Sequence, residues 1–181
     1  MKKFTTTLIL LVLSVMTQPA FSENLSAQEK YEKGLQFYNS ENYKAASVLF
    51  FEAAYVGHAK AQYDLGNLYH YGKGVEKDMK KSFEWTLKAA DNGVIDAMFV
   101  IGSSYLQGNG VVTPNAEKAY EYTLKAAING HTKAKTFTGF MLYNGKGVTK
   151  NQSIGIEWLK QGAKDGHGPA INLLQKIGVK S

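Results

Sequence analysis

The sequence predicts an all-α chain, an α/α superhelical solenoid built from stacked helix pairs, and three observations carry that expectation. A glycine-lysine loop, "YGKGV" at 71–75, returns as "QGNGV" at 107–111 and "NGKGV" at 144–148, so Gly72, Gly108 and Gly145 lie 36 and 37 residues apart. A second glycine column, Gly57, Gly93, Gly130 and Gly166, keeps the same beat with separations of 36, 37 and 36. Between these glycines apolar residues recur at helical spacing, and no stretch alternates for long enough to support a sheet. A single glycine-lysine loop could cradle a phosphate through converging N–H groups and an ammonium. A loop that recurs at a fixed period, with Asn109 replacing the lysine in the middle copy, reads instead as a turn in a repeat array.

Residues 1–22 stand apart from the array. Lys2 and Lys3 form a basic start, Leu8 to Met16 an almost wholly apolar run, and Pro19 a helix stop. Ala20-Phe21-Ser22 then places small residues where a signal peptidase reads them. A signal peptide cleaved near Ser22 is expected, and with it a periplasmic or secreted protein. The run falls short of the roughly 20 residues that span a bilayer, so no transmembrane segment is expected in the mature chain.

Residues 23–57 read as an N-terminal helix pair, with Gly34, Tyr43, Ala46 and Ala53 at repeat positions. Three full units follow, 58–93, 94–130 and 131–166. In the first of them "AKAQYDLGNLYHY" (59–71) carries Ala61, Leu65, Leu68 and Tyr69 at helical spacing. "DMKKSFEWTLKAAD" (78–91) carries Phe83, Leu87 and Ala90 on one stripe and Lys80, Lys81 and Glu84 off it. Asp78 and Asn115 are placed to cap second helices. Gly93, Gly130 and Gly166 sit where a left-handed C-terminal cap wants glycine. Trp85, Tyr122 and Trp158 share one position. The extra residue of the middle period falls in "VVTPN" (111–115), a turn where insertion costs little. Residues 167–181 supply a last capping helix, with Pro169 suited to its first turn. Gly66, Gly102 and Gly139 fall inside helices, where each costs about 1 kcal/mol against alanine. Such a recurring cost needs a compensation, and close approach of the paired helix supplies it.

Taken together these residues resemble the Sel-1-like repeat, a relative of the tetratricopeptide repeat. The matching elements are Ala59 and Ala61, Leu65-Gly66 followed by Tyr69, the "GxGV" loop, and the "EW…KAA…G" second helix. The resemblance is strong over about 58–166, and residues 31–54 look more like an ordinary tetratricopeptide unit. Departures are Leu142 where tyrosine is expected, Gly162 where alanine is expected, and Val94 where the other units have histidine. The resemblance implies a right-handed superhelix and a binding role, since the family serves mostly as scaffolds and adaptors, periplasmic bacterial members included.

Composition narrows the chemistry. All 21 basic residues are lysine, and without Lys2 and Lys3 the chain would carry a net charge of +4. The absence of arginine's bidentate fork, together with export, argues against nucleic acid as a partner. With no cysteine there is no disulfide, cysteine nucleophile or cysteine zinc site. His58, His131 and His167 each follow a boundary glycine in a different unit, at least one repeat apart and too far to share a metal; a structural or capping role is expected of them. His70 stands alone. No cofactor, metal or catalytic residue is assigned, because neither Ser-x-x-Lys, Gly-x-Ser-x-Gly nor HExxH is present. Thr132-Lys133-Ala134-Lys135 is the nearest echo of a nucleophile motif.

The resemblance also implies where a partner would lie. Aligning the units on Gly34, Gly66, Gly102 and Gly139 puts the groove positions of the related arrays on Tyr31, Tyr38 and Asn39 in unit one. Unit two supplies Lys60, Tyr63, Asn67, His70 and Tyr71. Unit three supplies Asp96, Phe99, Ser103 and Gln107, and unit four Lys133, Phe140, Tyr143 and Asn144. Rings interleaved with amides and lysines suit a protein or peptide, here one of the cell envelope. About half of the rings are expected to pack against adjoining helices instead. The expected function is a non-enzymatic protein-binding scaffold. The alternatives are an immunity protein that neutralises a periplasmic toxic effector and, third, a β-lactam or cell-wall hydrolase, β-lactam binding or hydrolysis being linked to a cysteine-rich branch of the family whose disulfides this chain lacks.

Overall fold

The structure is a computed structural model that describes residues 25–180. The leader and its cleavage site, 1–22, lie outside the described residues. Helices α1 (Ala27–Asn39) and α2 (Tyr43–Tyr55) form the first pair, and α3 (Ala59–Tyr71) and α4 (Met79–Asp91) the second. The third pair is α5 (Ile95–Gln107) and α6 (Ala116–Ile128), the fourth α7 (Thr132–Asn144) and α8 (Gln152–Lys164), and α9 (Gly168–Lys176) closes the array. No strand occurs among the described residues. Each of the eight paired helices has 13 residues, about 20 Å of helix, so successive units can stack flush.

The helix ends follow from local chemistry. Asn42, Asp78, Asn115 and Asn151 each accept a backbone N–H with the side chain at the start of a second helix. Ser26 and Glu29 make a reciprocal capping box at α1. Past α4, Gly93 donates to the Ala90 carbonyl and Val94 to that of Ala89, the two bonds of a Schellman turn. Gly93 itself is at φ +91°, a backbone that side chains resist.

The "KAA" element and the glycine column both make close packing possible. Ala89 and Ala90 of α4 are buried with Ala97 and Ile101 of α5, and Ala126 and Ala127 of α6 with Ala134 of α7. Ala46, Phe50, Ala53 and Ala54 of α2 meet Ala61, Leu65 and Leu68 of α3 in the same way. Small side chains at these joints let successive units stack in near contact, so much of each unit's burial comes from its neighbour. Within a pair, a Cβ on Gly66 would stand 2.6 Å from Thr86 Oγ1, and one on Gly102 would stand 2.7 Å from Thr123 Cγ2. A Cβ on Gly139 would meet the Gly155 carbonyl oxygen and Leu159 Cγ, each at 2.8 Å. The compensation expected for these glycines is therefore present. Gly162 departs from alanine for a related reason: its Cβ would stand 2.5 Å from Thr136 Oγ1, a hydroxyl held in place by His167.

The recurring loop is an inter-unit clasp. Gly72 ends α3 in the left-handed conformation, and Gly74 lies so close to the Tyr43 carbonyl of the preceding unit that a Cβ there would overlap it. Gly147 stands in the same relation to the Ala116 carbonyl. Lys73 Nζ lies 4.7 Å from the centre of the Tyr43 ring. In the middle copy Asn109 Oδ1 accepts from the N–H groups of Val111 and Val112, and nothing lies within 4 Å of a Cβ on Gly110. The extra residue of this loop accompanies loss of the clasp.

Candidate functional site

The first helices α1, α3, α5 and α7 present one continuous face, and the residues expected there divide into two sets. The first set joins units. Tyr31 of α1 lies over His58 of the next unit, ring centres 4.6 Å apart, and Phe99 of α5 stacks on His131 at 4.4 Å. Thr136, at the equivalent position of α7, meets His167 Nδ1 through its hydroxyl at 2.7 Å. Tyr63, the fourth member of this column, packs against the cluster of Ala89, Ala90, Ala97 and Ile101, as does Val94. In units one, three and four this position thus meets the residue just past the next boundary glycine. Tyr38 is likewise half-covered, edge-on to Tyr43 at 5.2 Å.

Two histidines of this column, His58 and His131, are caps. His58 Nδ1 accepts the N–H of Ala61, and His131 Nδ1 that of Ala134, each at 3.1 Å. Accepting through Nδ1 leaves the proton on Nε2, which faces Gln28 Oε1 at 2.9 Å in His58 and Asp96 Oδ1 at 3.5 Å in His131. Burial pushes both imidazoles below their ordinary range; Lys60 adds to this at His58, and Asp96 opposes it at His131. Val94 and His167 offer no such side-chain cap.

Beside this column the Tyr31 hydroxyl donates to Asp64 Oδ2 at 2.9 Å. Burial raises both groups above their usual ranges, and at Tyr31 the neighbouring carboxylate adds to the shift. Burial and then Asp96 raise Tyr63. Gln28, His58, Tyr31 and Asp64 are thereby tied into one polar joint between units one and two. Its groups are engaged with one another, and the arrangement serves to hold the units in register.

The second set is left uncovered. Tyr71 is 67% exposed and Phe140 39% exposed. Lys60, Asp96, Gln107, Lys133, Asn39, His70 and Asn144 are also exposed, and Asn67, Ser103 and Tyr143 are half-buried. Phe99, Ser103 and Gln107 line a shallow depression of about 220 Å³ together with Val100, Ser104, Gly108 and Asn109. Four residues of this face were missed by carrying over the groove positions of related arrays: Thr136 in the joint column, and Asp64, Val100 and Phe137 beside it. Phe137 stands edge-on to Phe99 at 5.4 Å. Asp64, Val100 and Phe137 share one repeat position, two before the helix glycine, so the helical period would have found them.

Three consecutive matches to the Sel1 repeat model, at 59–94, 95–131 and 132–167, cover more than half of the chain. The chain belongs to the Sel1 repeat family. Its fold is similar to a Sel1 repeat protein from Oxalobacter formigenes, with a TM-score of 0.79 and 25% identity over 83% of this chain and 44% of that one. It is also similar to a protective antigen of uropathogenic Escherichia coli strains that displays an SLR fold. That comparison gives a TM-score of 0.75 and 30% identity over 84% of this chain and 34% of the antigen. Among curated proteins it is 34% identical over 98 residues to protein sel-1 homolog 2 of Rattus norvegicus, 53% of this chain but only 14% of that protein. It is 38% identical over 55 residues, 30% of this chain, to the HRD3A component of an ERAD-associated E3 ubiquitin-protein ligase of Arabidopsis thaliana, of which the match spans 8%. Sel1 repeats mediate protein–protein interaction. No described helix is long and apolar enough to cross a membrane.

Proposed function

We propose that the protein is an exported, non-enzymatic scaffold or adaptor. In this reading it binds a protein or peptide of the cell envelope along the first-helix face of units two to four. The observation that carries the reading is the row of uncovered rings and amides on that face, Tyr71, Gln107 and Phe140, beside the depression at Phe99 and Ser103. The rings give large contact area with little conformational entropy to lose, tyrosine is a common hot-spot residue, and the amides supply adaptable hydrogen bonds. They are held on helices whose joints are already tied by the Tyr31, Phe99 and histidine contacts, so the face is pre-organised for a partner. The lysine surplus would speed encounter with an acidic partner and make association salt-dependent.

Affinity capture from periplasmic extract with the mature protein tests the proposal, repeated with Tyr71→Ala and Phe140→Ala. Each substitution is expected to weaken capture by about 1–4 kcal/mol if the ring is a hot spot. Undiminished capture by both variants, with loss on Lys80→Ala or Glu121→Ala, would move the site to the second helices. A toxic effector as the captured protein would specify an immunity role, whereas turnover of a chromogenic β-lactam would overturn the scaffold reading. Export is checked by N-terminal sequencing, which should begin after Ser22; retention of residues 1–22 would overturn it.

A further inference from the structure

The outer face of α2 is more apolar than its counterparts in the later units. Val48, Phe51, Tyr55 and Val56 are 55%, 45%, 76% and 67% exposed. Counting back from the boundary glycine, the positions of Val48, Tyr55 and Val56 hold Glu84, Asp91 and Asn92 in unit two. In unit three they hold Glu121, Ile128 and Asn129, and in unit four Glu157, Lys164 and Asp165. At these three positions the repeat fold therefore does not require apolar residues, whereas the position of Phe51 holds Leu87, Leu124 and Lys160. The patch continues onto α4, where Trp85 stands edge-on to Phe51 at 6.0 Å and carries Lys88 Nζ 4.1 Å from its ring centre.

We propose that this face is a self-association surface on which a second copy of the chain packs, α2 against α2 and antiparallel. The spacing and the charges select this occupant. Lys44, Val48, Phe51 and Tyr55 follow one another at intervals of four, three and four residues, the seam along which two helices interdigitate. Antiparallel pairing about a two-fold axis between residues 49 and 50 sets Val48 against the second copy's Phe51. The same pairing sets Lys44 against the second copy's Tyr55, with the second copy's Glu52 at its side. An ammonium over a phenol ring and beside a carboxylate is favourable, and the symmetry makes the contact twice. Glu52 already holds Lys30 at 2.9 Å, which fixes the carboxylate at the rim of the patch. The four apolar side chains expose roughly 400–500 Å² when scaled from the area that aromatic residues carry. With Lys44, Glu52 and Trp85 at the rim, two copies would bury about 1,000–1,200 Å², the low end for a specific interface. A reversible dimer of modest affinity follows.

Sedimentation velocity of the purified full chain, up to roughly 100 μM, reads this directly. A concentration-dependent monomer–dimer equilibrium is expected. Val48→Glu with Tyr55→Asp, which installs the residues that unit two carries, should weaken dimerisation at least tenfold with unchanged helix content by circular dichroism. A parent that stays monomeric, or a double variant that dimerises like the parent, would overturn the proposal. The register has its own test, because the chain holds no cysteine. On oxidation, a mixture of Val48→Cys and Phe51→Cys chains should cross-link more than either variant alone, and equal cross-linking would refute the antiparallel arrangement. A monomer that co-floats with anionic phospholipid vesicles would assign the patch to a lipid surface instead.

Discussion

Gly139→Ala sets two ordinary rules against each other. Helix propensity favours alanine over glycine by about 1 kcal/mol in a helix interior. At Gly139, however, a Cβ would meet the Gly155 carbonyl oxygen at 2.8 Å and the Leu159 nitrogen at 2.9 Å. Both are backbone atoms of α8, so no rotamer change can relieve the contact, and the helices must part by several tenths of an ångström towards the 3.5–4.0 Å optimum of a carbon contact. Overpacking of this kind costs about 1–3 kcal/mol, and parting the helices also loosens the contacts around buried Leu159 and Met141. Set against the propensity gain of about 1 kcal/mol, the expected net loss reaches about 2 kcal/mol, or up to roughly 8 °C in Tm for a chain of this size. The column predicts a graded series. The nearest backbone atom to the added Cβ is at 2.8 Å for Gly139, 3.0 Å for Gly102 and 3.2 Å for Gly66, so the loss should fall in that order, and Gly102→Leu should exceed Gly102→Ala. Thermal denaturation followed by circular dichroism is the assay. A Gly139→Ala protein stabilised by the full propensity gain of about 1 kcal/mol would refute the close-approach account of the whole column.

The histidine caps predict acid sensitivity. Burial depresses the folded pKa of His58 and His131, so the folded state binds the proton less well than the unfolded state; their contribution is complete above the unfolded value near 6.5 and is lost as pH falls through the lower folded value. His131→Asn keeps a capping side chain without titrating, and Tm should then fall less between pH 7 and 5 than in the parent; equal slopes would remove His131 from the account. The clasp predicts that Gly74→Ala and Gly147→Ala cost more stability than Gly110→Ala, since all three have positive φ but only the first two abut a carbonyl of the preceding unit. Equal losses, measured by denaturant midpoint, would make backbone conformation the whole cause. Phe99→Ala should lower stability by about 1–3 kcal/mol, less than a fully buried ring, because Phe99 stacks on His131 and meets Phe137. Tyr71→Ala should change it by no more than about 0.5 kcal/mol.

The period, the helix pairs and the caps were legible because each is a local property repeated in the chain. Asp78 and Asn115 cap as their chemistry dictates, and Gly66, Gly102 and Gly139 reveal close packing because a penalty incurred three times needs a cause. What a linear reading cannot supply is the pairing between units. Tyr31 and His58 are 27 residues apart, and Phe99 and His131 are 32 apart, so the columns meet only once the rise from one unit to the next is known. The apolar face of α2 was hidden for another reason. Val48, Phe51 and Tyr55 read equally well as core until the structure shows α1 and α3 packed on the other side of the helix.

The same pairing changes what an alanine scan of the first-helix face would mean. Tyr31, Tyr63 and Phe99 lie on that face, yet each also closes a joint to the next unit. Truncating such a ring removes contact area and loosens the stack that presents its neighbours, so lost binding would not by itself place the ring in an interface. Tyr71 is freest of this ambiguity because two-thirds of it is exposed, whereas Phe140 is 39% exposed and needs the stability control. The coupling also runs in the other direction. A partner lying across units two to four would contact both sides of the Tyr63 and Phe99 joints, binding the stacked array and not the unfolded chain. By mass action it would therefore raise the stability of those joints above that of the free protein.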